Sequence, residues 1–430
     1  MTAPRRCRRL LVSAAVLAAA ALPIGPTVAA EAAPTGELQL AGPTETAIPD
    51  SWIVVLREPA GSRSARSVHE LLDRADGARL GHVYRSALNG FSARMSRAQA
   101  ARLAADPRVA RVHQDTRVTL DAPARAEAET ADTADTAGTA DTAETAAPAA
   151  TQPNAPWGLD RIDQRLLPLS TTYTYRTTAP AVRVYVIDTG LRTTHAEFGG
   201  RASVGTDTVG DGRNGEDCHG HGTHVAGIAA GRTYGVAKEA RPVAVRVLNC
   251  QGSASTSGVV AGVDWVTANA VRPAVANMSL GGAVSTVLDT AVRNSIRAGI
   301  TYTASAGSSG RPDGACSTSP ARVPETIAVG ASDRLDRRAS SSNYGACVAL
   351  FAPGVAIPSA WKDSDTATAT LSGTSAATAH TAGAAALHLA RHPAATPGQV
   401  KQALVAGATT GVLQGTPPVA PDRLLHTLYE

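Results

Sequence analysis

Apolar runs and helical patterns alternate through residues 151–430. The apolar runs have the length of buried strands and lie at Val182–Ile187, Pro242–Leu248, Val275–Met278, Ile300–Ala304 and Thr326–Val329. Helix-like stretches accompany them at Gly222–Ala230, Gly258–Asn269, Val287–Ala298 and Ser375–His388. Continuous apolar strands that alternate with helices are typical of parallel sheets buried on both faces. The pattern therefore predicts an α/β domain with a parallel sheet, seven-stranded or similar, and helices on both faces.

A smaller unit with mixed patterns precedes this domain, at residues 51–120. Strand-like and helix-like segments follow one another at Ser51–Leu56, Val68–Gly77, Gly90–Met95, Ser96–Ala105 and Val109–Val112. The order strand, helix, strand, helix, strand is typical of a split β-α-β module. We therefore predict a small α+β, ferredoxin-like domain here.

Residues 121–150 separate the two units. They repeat Thr-Ala-Asp and Thr-Ala-Glu with almost no large apolar side chain. Such a segment buries too little surface to offset the entropy lost on ordering. We interpret it as a flexible acidic linker and as the clearest domain boundary of the chain.

Residues 1–30 have the order of a secretory signal peptide. A cluster of arginines between Arg5 and Arg9 precedes an apolar run, Leu10–Leu22, and small residues follow at Val28–Ala30. A membrane anchor is the alternative, but the run is shorter than the roughly 18–20 apolar residues that span a bilayer. No later segment is long and apolar enough to do so. We therefore predict secretion to the extracellular medium, with no membrane attachment after signal removal.

Charge and cysteine content narrow the function classes. The net charge is +4 and the arginines are scattered, so no basic stripe for nucleic acid is present. Cys7 would leave with the signal peptide, and the other four cysteines are Cys218, Cys250, Cys316 and Cys347. An even set in an exported chain favours disulfides. Metal binding is the alternative, but the cysteines are widely spaced and form no C-x-x-C pair.

Three segments contain residues suited to catalysis. The first is V-Y-V-I-D-T-G at Val184–Gly190, which places Asp188 at the carboxyl end of a buried strand. The second is H-G-H-G-T-H-V-A-G at His219–Gly227, and the third is S-G-T-S-A-A-T-A-H-T-A-G at Ser372–Gly383. Each has a structural alternative. A strand-end Asp and a helix-start Ser are often only caps, and three histidines also suggest a metal site, although no H-E-x-x-H spacing supports it.

Taken together, the three segments indicate a serine nucleophile activated by a histidine and a carboxylate. A serine hydroxyl needs a base to remove its proton, and the imidazole needs a carboxylate to fix its tautomer. The chain order Asp188, His221, Ser375 is that of subtilisin. The segments resemble the motifs of the subtilases, and most closely the proteinase K and aqualysin subgroup. Further matching segments are Y-G-V-A-K, V-R-V-L-N, M-S-L-G-G and V-G-A-S-D, so the resemblance covers essentially all of residues 151–430.

The resemblance implies a role for each matching residue. Ser375 would be the nucleophile, His221 the general base and acid, and Asp188 its orienting carboxylate. The substrate would bind along an edge and a pocket formed by Gly252, Ser253, Ala254, Ser279, Leu280, Gly281, Ser305, Ala306 and Gly307. The cysteine spacing implies the bridges Cys218–Cys250 and Cys316–Cys347. Residues 51–120 resemble the subtilase propeptide, an intramolecular inhibitor and folding chaperone whose tail occupies the active-site cleft.

The sequence departs from the family pattern at a few positions. Ser308 stands where the subtilases have the asparagine of the oxyanion hole, which Ser308 would then share with the backbone N–H of Ser375. Ala376 and Ala379 replace the usual Met and Pro, and Ala254 replaces a glycine of the substrate edge, where it could crowd the bound peptide. Ala349 stands where proteinase K-like enzymes have a calcium-binding Asp, which argues against the family's strong calcium site.

The sequence thus predicts a secreted serine endopeptidase, made as a precursor, that acts on protein and peptide substrates as a monomer. Catalysis would need no cofactor, while calcium elsewhere stays open and no metal ligand is assigned. Maturation would be autocatalytic, with a cut between Leu120 and Pro153. The alternatives are a catalytically weakened homologue that binds peptides and a processing protease of narrow specificity.

Overall fold

In the computed structural model, the described residues are 36–43, 45–57, 62–120, 124–125 and 149–428. The predicted signal peptide lies outside these ranges, and so does most of the predicted linker. In the described ranges, no helix combines the length and the apolar character needed to span a bilayer.

The N-terminal domain is one sheet with two helices. Its elements are β1 (Glu37–Gln39), β2 (Ala47–Leu56), α1 (Ser62–Arg74), β3 (Arg79–Tyr84), β4 (Gly90–Arg94), α2 (Arg97–Ala104) and β5 (Val109–Thr119). The strand order is β1-β5-β2-β4-β3, and every pairing is antiparallel except that of β1 with β5. The prediction of a small α+β domain is therefore confirmed.

Three details of that domain differ from the prediction. β3 is missing from the sequence-based elements because half of its residues are exposed and its sequence, R-L-G-H-V-Y, shows no regular apolar alternation. α1 begins at Ser62 and not at Val68, and β5 continues past Val112 to Thr119. The continuation has the polar sequence H-Q-D-T-R, which is strand-like only because other parts of the chain supply its partners.

The C-terminal domain contains the remaining elements. They begin with β6 (Ala124–Arg125), β7 (Ala150–Pro153), α3 (Trp157–Ile162), β8 (Thr172–Tyr175), β9 (Arg183–Asp188), β10 (Ser203–Asp207), α4 (His221–Ala230), β11 (Arg241–Arg246), β12 (Ser253–Ser255) and α5 (Thr256–Asn269). They continue with β13 (Ala274–Met278), α6 (Thr286–Arg297), β14 (Thr301–Ser305), β15 (Ile327–Ser332), β16 (Leu350–Pro353), β17 (Ile357–Ala360), β18 (Thr368–Ser372), α7 (Thr374–Arg391) and α8 (Pro397–Gly407).

A seven-stranded sheet forms the centre of this domain. Its order is β10-β11-β9-β13-β14-β15-β16, and all neighbours are parallel. The fold class is therefore confirmed. The two edge strands were not predicted, because S-V-G-T-D of β10 mixes polar and apolar residues and L-F-A-P of β16 is very short.

Both faces of the sheet are covered by helices, as β9 illustrates. Val184 and Val186 belong to a core that includes α4 and α7. Tyr185 and Ile187, on the opposite face, belong to a second core that includes α5 and α6. Because successive side chains of a strand point to opposite faces, a strand buried on both sides is apolar at every position. This explains why the interior strands were readable from the sequence.

Asp163, at the C-terminal end of α3, gives the fold a pH dependence. Its Oδ1 is buried with no hydrogen-bond partner in the described part of the chain, and Oδ2 accepts the N–H of Thr174. Burial raises the pKa of Asp163 from its usual 3.8 to about 7. The folded protein therefore holds a proton that the unfolded chain releases near pH 4, so this group costs stability as the pH rises from about 4 to 7.

We expect Asp163→Asn to raise the melting temperature clearly at about pH 8 and much less at about pH 4.5, where the carboxyl of the folded protein is still neutral and only ionisation of the unfolded chain costs stability. Thermal unfolding of the Ser375→Ala full-length chain at both pH values would measure this. A variant that is equally stabilised at both pH values, or not stabilised at either, would contradict the buried-charge explanation.

Candidate active site

Asp188 and His221 form a buried pair at the carboxyl edge of the central sheet. Asp188 is the last residue of β9 and His221 the first residue of α4. The Oδ1 atom of Asp188 lies 2.8 Å from Nδ1 of His221, and both side chains are almost fully buried. A carboxylate at Nδ1 holds the proton on that nitrogen and leaves Nε2 as the basic atom of the ring.

Tight backbone packing places His221 beside the strand. Gly220 has a φ of 110°, in the region that favours glycine. A Cβ atom on Gly222 would lie 2.1 Å from the carbonyl oxygen of Gly190, so only glycine lets α4 start this close to the end of β9.

Asp217 fixes the same turn and was missed by the sequence analysis. Its Oδ1 accepts the N–H of Gly220 at 2.8 Å, and its Oδ2 accepts the N–H of Thr223 at 2.9 Å. An Asp in the turn that leads into a helix often accepts backbone N–H groups in this way. Asp217 thus positions His221 through the backbone.

Ser375 lies in the first turn of α7, with its hydroxyl at the same edge of the sheet. Its Oγ donates to the carbonyl oxygen of Ser279 at 3.1 Å, and Oγ of Ser279 donates to the carbonyl oxygen of Ser375 at 2.9 Å. The first N–H groups of a helix have no partner within the helix and carry partial positive charge. The backbone N–H of Ser375 is therefore suited to stabilise negative charge that develops beside its own side chain.

Ser308 lies against the turn that precedes Ser375. Its Oγ accepts the N–H of Thr374 at 3.2 Å and lies 3.0 Å from Oγ1 of Thr374. Oγ1 of Thr374 is in turn 2.6 Å from Oγ of Ser305. These contacts place the Ser308 hydroxyl next to the turn that precedes Ser375. Thr374 was not singled out from the sequence, because its role depends on two residues that are distant along the chain.

The predicted pocket walls follow two neighbouring strands. Ser279–Gly281 comes after β13, and Ser305–Gly307 comes from the end of β14, which pairs with β13. Asn343 holds the second wall: its Nδ2 donates to the carbonyl oxygen of Ala306 at 2.8 Å, and its N–H donates to that of Gly307 at 2.9 Å. Asn343 was also missed, since nothing in its local sequence distinguishes it from a loop asparagine.

The end of the N-terminal domain lies on the predicted substrate edge. β5 pairs antiparallel with β12, with Val118 opposite Ala254, and the N–H of Leu120 donates to the carbonyl oxygen of Gly252 at 2.9 Å. Thr119 bridges Gly281 on the other side. The methyl group of Ala254 therefore does not prevent strand pairing. We call residues 117–120 the propeptide tail.

Residues 124–125 pair with the strand that leads into α7. Ala124 and Arg125 pair antiparallel with Ser372 and Leu371 of β18, directly before α7. The segments on either side of residues 121–123 thus flank Ser375 as the two halves of an extended peptide would.

The described residues contain two disulfides, Cys218 with Cys250 and Cys316 with Cys347. One group of three metal-binding atoms occurs among the described residues, formed by Asp211, Cys218 and Cys250. Since both sulfur atoms belong to a disulfide, this group lacks thiolate ligands.

The histidine segment is divided between two environments. The rings of His219 and His221 are 6.4 Å apart. Nε2 of His224 lies 3.1 Å from the carbonyl oxygens of both Ile357 and Ala369, and burial lowers its pKa to about 3. His224 is therefore a neutral histidine packed in the core beneath the site, which does not favour the three-histidine metal site.

Comparison with known families identifies the chain. The Subtilase family model matches residues 180–421, and that of Peptidase inhibitor I9 matches residues 51–121. The chain belongs to the subtilase family. It is a serine endopeptidase with an inhibitor-type propeptide domain in front of its catalytic domain, so the function predicted from the motifs is confirmed at this level.

Named relatives agree with that assignment. This subtilase is 49% identical to an extracellular serine proteinase of Thermus sp. (strain Rt41A), over 82% of its own length and 79% of the relative's. It is 42% identical to alkaline serine exoprotease A of Vibrio alginolyticus, over 90% and 69%. A crystal structure of a cold-adapted subtilisin-like serine proteinase matches with 50% identity and a TM-score of 0.62, covering 64% of this subtilase and 99% of that chain.

Proposed function

We propose that Asp188, His221 and Ser375 are the catalytic triad of this subtilase and that its own propeptide tail occupies the substrate cleft until it is cut. The observation that carries the proposal is the 2.8 Å contact between Asp188 and His221 at the edge of the sheet where the first turn of α7 presents Ser375. The chemistry is acyl transfer from a peptide bond to serine and then to water.

Each step uses groups of this chain. Ser375 Oγ attacks the scissile carbonyl carbon while Nε2 of His221 takes its proton and then passes it to the departing amine. Asp188 keeps the imidazole oriented and stabilises its charged form. Water, deprotonated by His221, then attacks the ester carbonyl and releases the acid product and free Ser375.

The tetrahedral oxyanion would be stabilised by the backbone N–H of Ser375 and by the Ser308 hydroxyl. Oγ of Ser308 accepts the N–H of Thr374, and its own hydrogen would be free for the oxyanion when Oγ1 of Thr374 is the donor in their 3.0 Å contact. A serine side chain is shorter than the usual asparagine, so we expect this donor to be weaker.

The propeptide domain would inhibit by covering the helices next to the cleft as well as the cleft itself. Oδ1 of Asp264 in α5 accepts the N–H groups of Ser86 and Ala87 at 2.8 and 2.7 Å. In the other direction, Asp115 of β5 accepts the N–H of Ser257 at 3.0 Å, at the N-terminal end of α5. A carboxylate at a helix N-terminus is favourable for the helix dipole as well.

The substrate would bind as the tail does, as an extended strand between β12 and the segment after β13, with recognition by main-chain hydrogen bonds. The substrate class is therefore protein segments that are unfolded or form exposed loops. We place the mature enzyme outside the cell as a monomer, which is in keeping with the extracellular relative named above.

Maturation of the secreted protein tests this proposal. Because the docked tail ends at Leu120, we expect a cut between Leu120 and Pro153, and casein hydrolysis that appears only as the intact precursor disappears. N-terminal sequencing and mass spectrometry of protein from the culture medium would follow both. An N-terminus before residue 120, or full activity of the uncut precursor, would overturn it.

A further inference from the structure

Position 349 lacks the ligand that a family calcium site would need. Ala349 is 7% exposed and belongs to the same core cluster as Val400 and Leu404 of α8. Its methyl group offers no oxygen atom, whereas Ca²⁺ binds through carboxylate, carbonyl and water oxygens. The residues present therefore do not fit this ion.

The ammonium group of a lysine side chain hydrogen-bonds to carbonyl oxygens close to that position. Lys401 lies on α8 between Val400 and Leu404, and its Nζ donates to the carbonyl oxygens of Pro324 and Thr326 at 2.6 and 2.8 Å. Those two residues lead directly into β15, and the N–H of Ala349 donates to the carbonyl oxygen of Ala328 in that strand. All of these groups thus lie near the start of β15: the Lys401 ammonium, the two carbonyl oxygens and Ala349.

We propose that the Lys401 ammonium is a covalently attached substitute for a divalent cation at the carbonyl oxygens of Pro324 and Thr326. A divalent ion beside one carboxylate has a net charge of +1. An ammonium beside an alanine has the same net charge, so the exchange leaves the local charge unchanged. The loop that enters β15 is then fixed in this subtilase without a metal at this place.

The surroundings of Lys401 fit a cation held by oxygen atoms. Burial lowers the pKa of Lys401, and the neighbouring Glu325 partly offsets this. A partly buried ammonium keeps its charge only where acceptors replace the water it has lost, and the two carbonyls do so with charge-assisted hydrogen bonds. Glu325 itself pairs with Arg293 at 3.3 Å, so it is not dedicated to the lysine.

The test replaces Lys401 and measures whether a calcium ion can then bind in its place. All variants are made in the full-length Ser375→Ala chain, which removes self-digestion, and thermal unfolding is followed in EDTA and in excess CaCl₂. We expect Lys401→Met to lower the melting temperature by about 5 °C in both solutions, since two charge-assisted hydrogen bonds are lost. The matched control Lys362→Met, which removes an ammonium bound to Asp363, should shift it by about 1 °C or less.

The decisive variant is Ala349→Asp with Lys401→Met. We expect calcium to raise its melting temperature well beyond any rise in the parent, and titration calorimetry to find one binding site more than in the parent. Unchanged stability of Lys401→Met, or no added calcium site in the double variant, would overturn the proposal. So would an equal calcium effect in Ala349→Asp alone, because the ammonium would then not occupy the ion's place.

A second pair of variants tests the proposal even if Lys401→Met folds poorly. Lys401→Arg keeps a cation and Lys401→Gln keeps only a neutral donor, so we expect the arginine variant to melt closer to the parent. The reverse order would contradict a role for the charge. Because every variant is catalytically inactive, failure here is separate from failure of the proposed proteolytic function.

Discussion

Ser375→Ala is expected to lower kcat on casein by about 10⁶-fold, the size of loss seen when the nucleophile of a subtilisin is removed. The loss is large because attack needs an oxygen that is both within reach of Nε2 of His221 and next to the helix N-terminus that stabilises the oxyanion. The purified precursor should also stay uncut, since maturation uses the same nucleophile. Casein assays and gel analysis of secreted protein would measure both effects.

Two matched variants show whether the loss is specific. Ser364→Ala removes an exposed serine hydroxyl and should leave activity and processing unchanged. Asp188→Asn should preserve the fold but lower kcat by about 10⁴-fold, because the amide no longer selects the productive histidine tautomer. A wild-type protein as inert as Ser375→Ala, with its propeptide uncut, would instead indicate the peptide-binding homologue.

The second large effect is an increase in kcat. Ser308→Asn is expected to raise kcat by about 10²-fold, the lower end of what one oxyanion donor contributes. The asparagine amide extends further than the serine hydroxyl, whose oxygen is engaged by Thr374 at 3.0 and 3.2 Å. KM should change little, because this hydrogen bond forms only when the carbonyl becomes tetrahedral.

Two further variants test whether the hydroxyl of Ser308 contributes to kcat and whether the position of the asparagine matters. Ser308→Ala should lower kcat below that of wild type if the hydroxyl donates, while Ser309→Asn places the same amide one residue away and should give no gain. Equal kcat for alanine, serine and asparagine at position 308 would show that the backbone N–H of Ser375 stabilises the oxyanion without a side-chain partner.

Much of the fold and of the proposed site is predictable because the residues that specify it lie in short, continuous segments of the sequence. The strands of the central sheet that were found, such as Val184–Ile187 within β9, are buried on both faces and so are mostly apolar. The proposed triad was predictable for a similar reason. Each member lies in a short segment whose glycines and small residues are required by the turn around it, as Gly220 and Gly222 are around His221.

The rest depends on partners that are distant along the chain. The polar stretch after Val112 continues as a strand because Thr119, Val118 and Arg117 pair with β12, and because Asp115 is satisfied at the start of α5. Edge strand β10 and the exposed β3 carry too few apolar residues to be recognised alone.

The sequence by itself determined the fold class and the propeptide and protease arrangement, and it predicted Asp188, His221 and Ser375 as the catalytic residues. Only the tertiary structure decided how Ser308 contacts Thr374 and which cation meets the carbonyls before β15. The physical reason is the same in both cases. A hydroxyl or an ammonium has no preference readable from its neighbours in sequence, and its role is set by the oxygen and nitrogen atoms that the fold places within hydrogen-bonding distance.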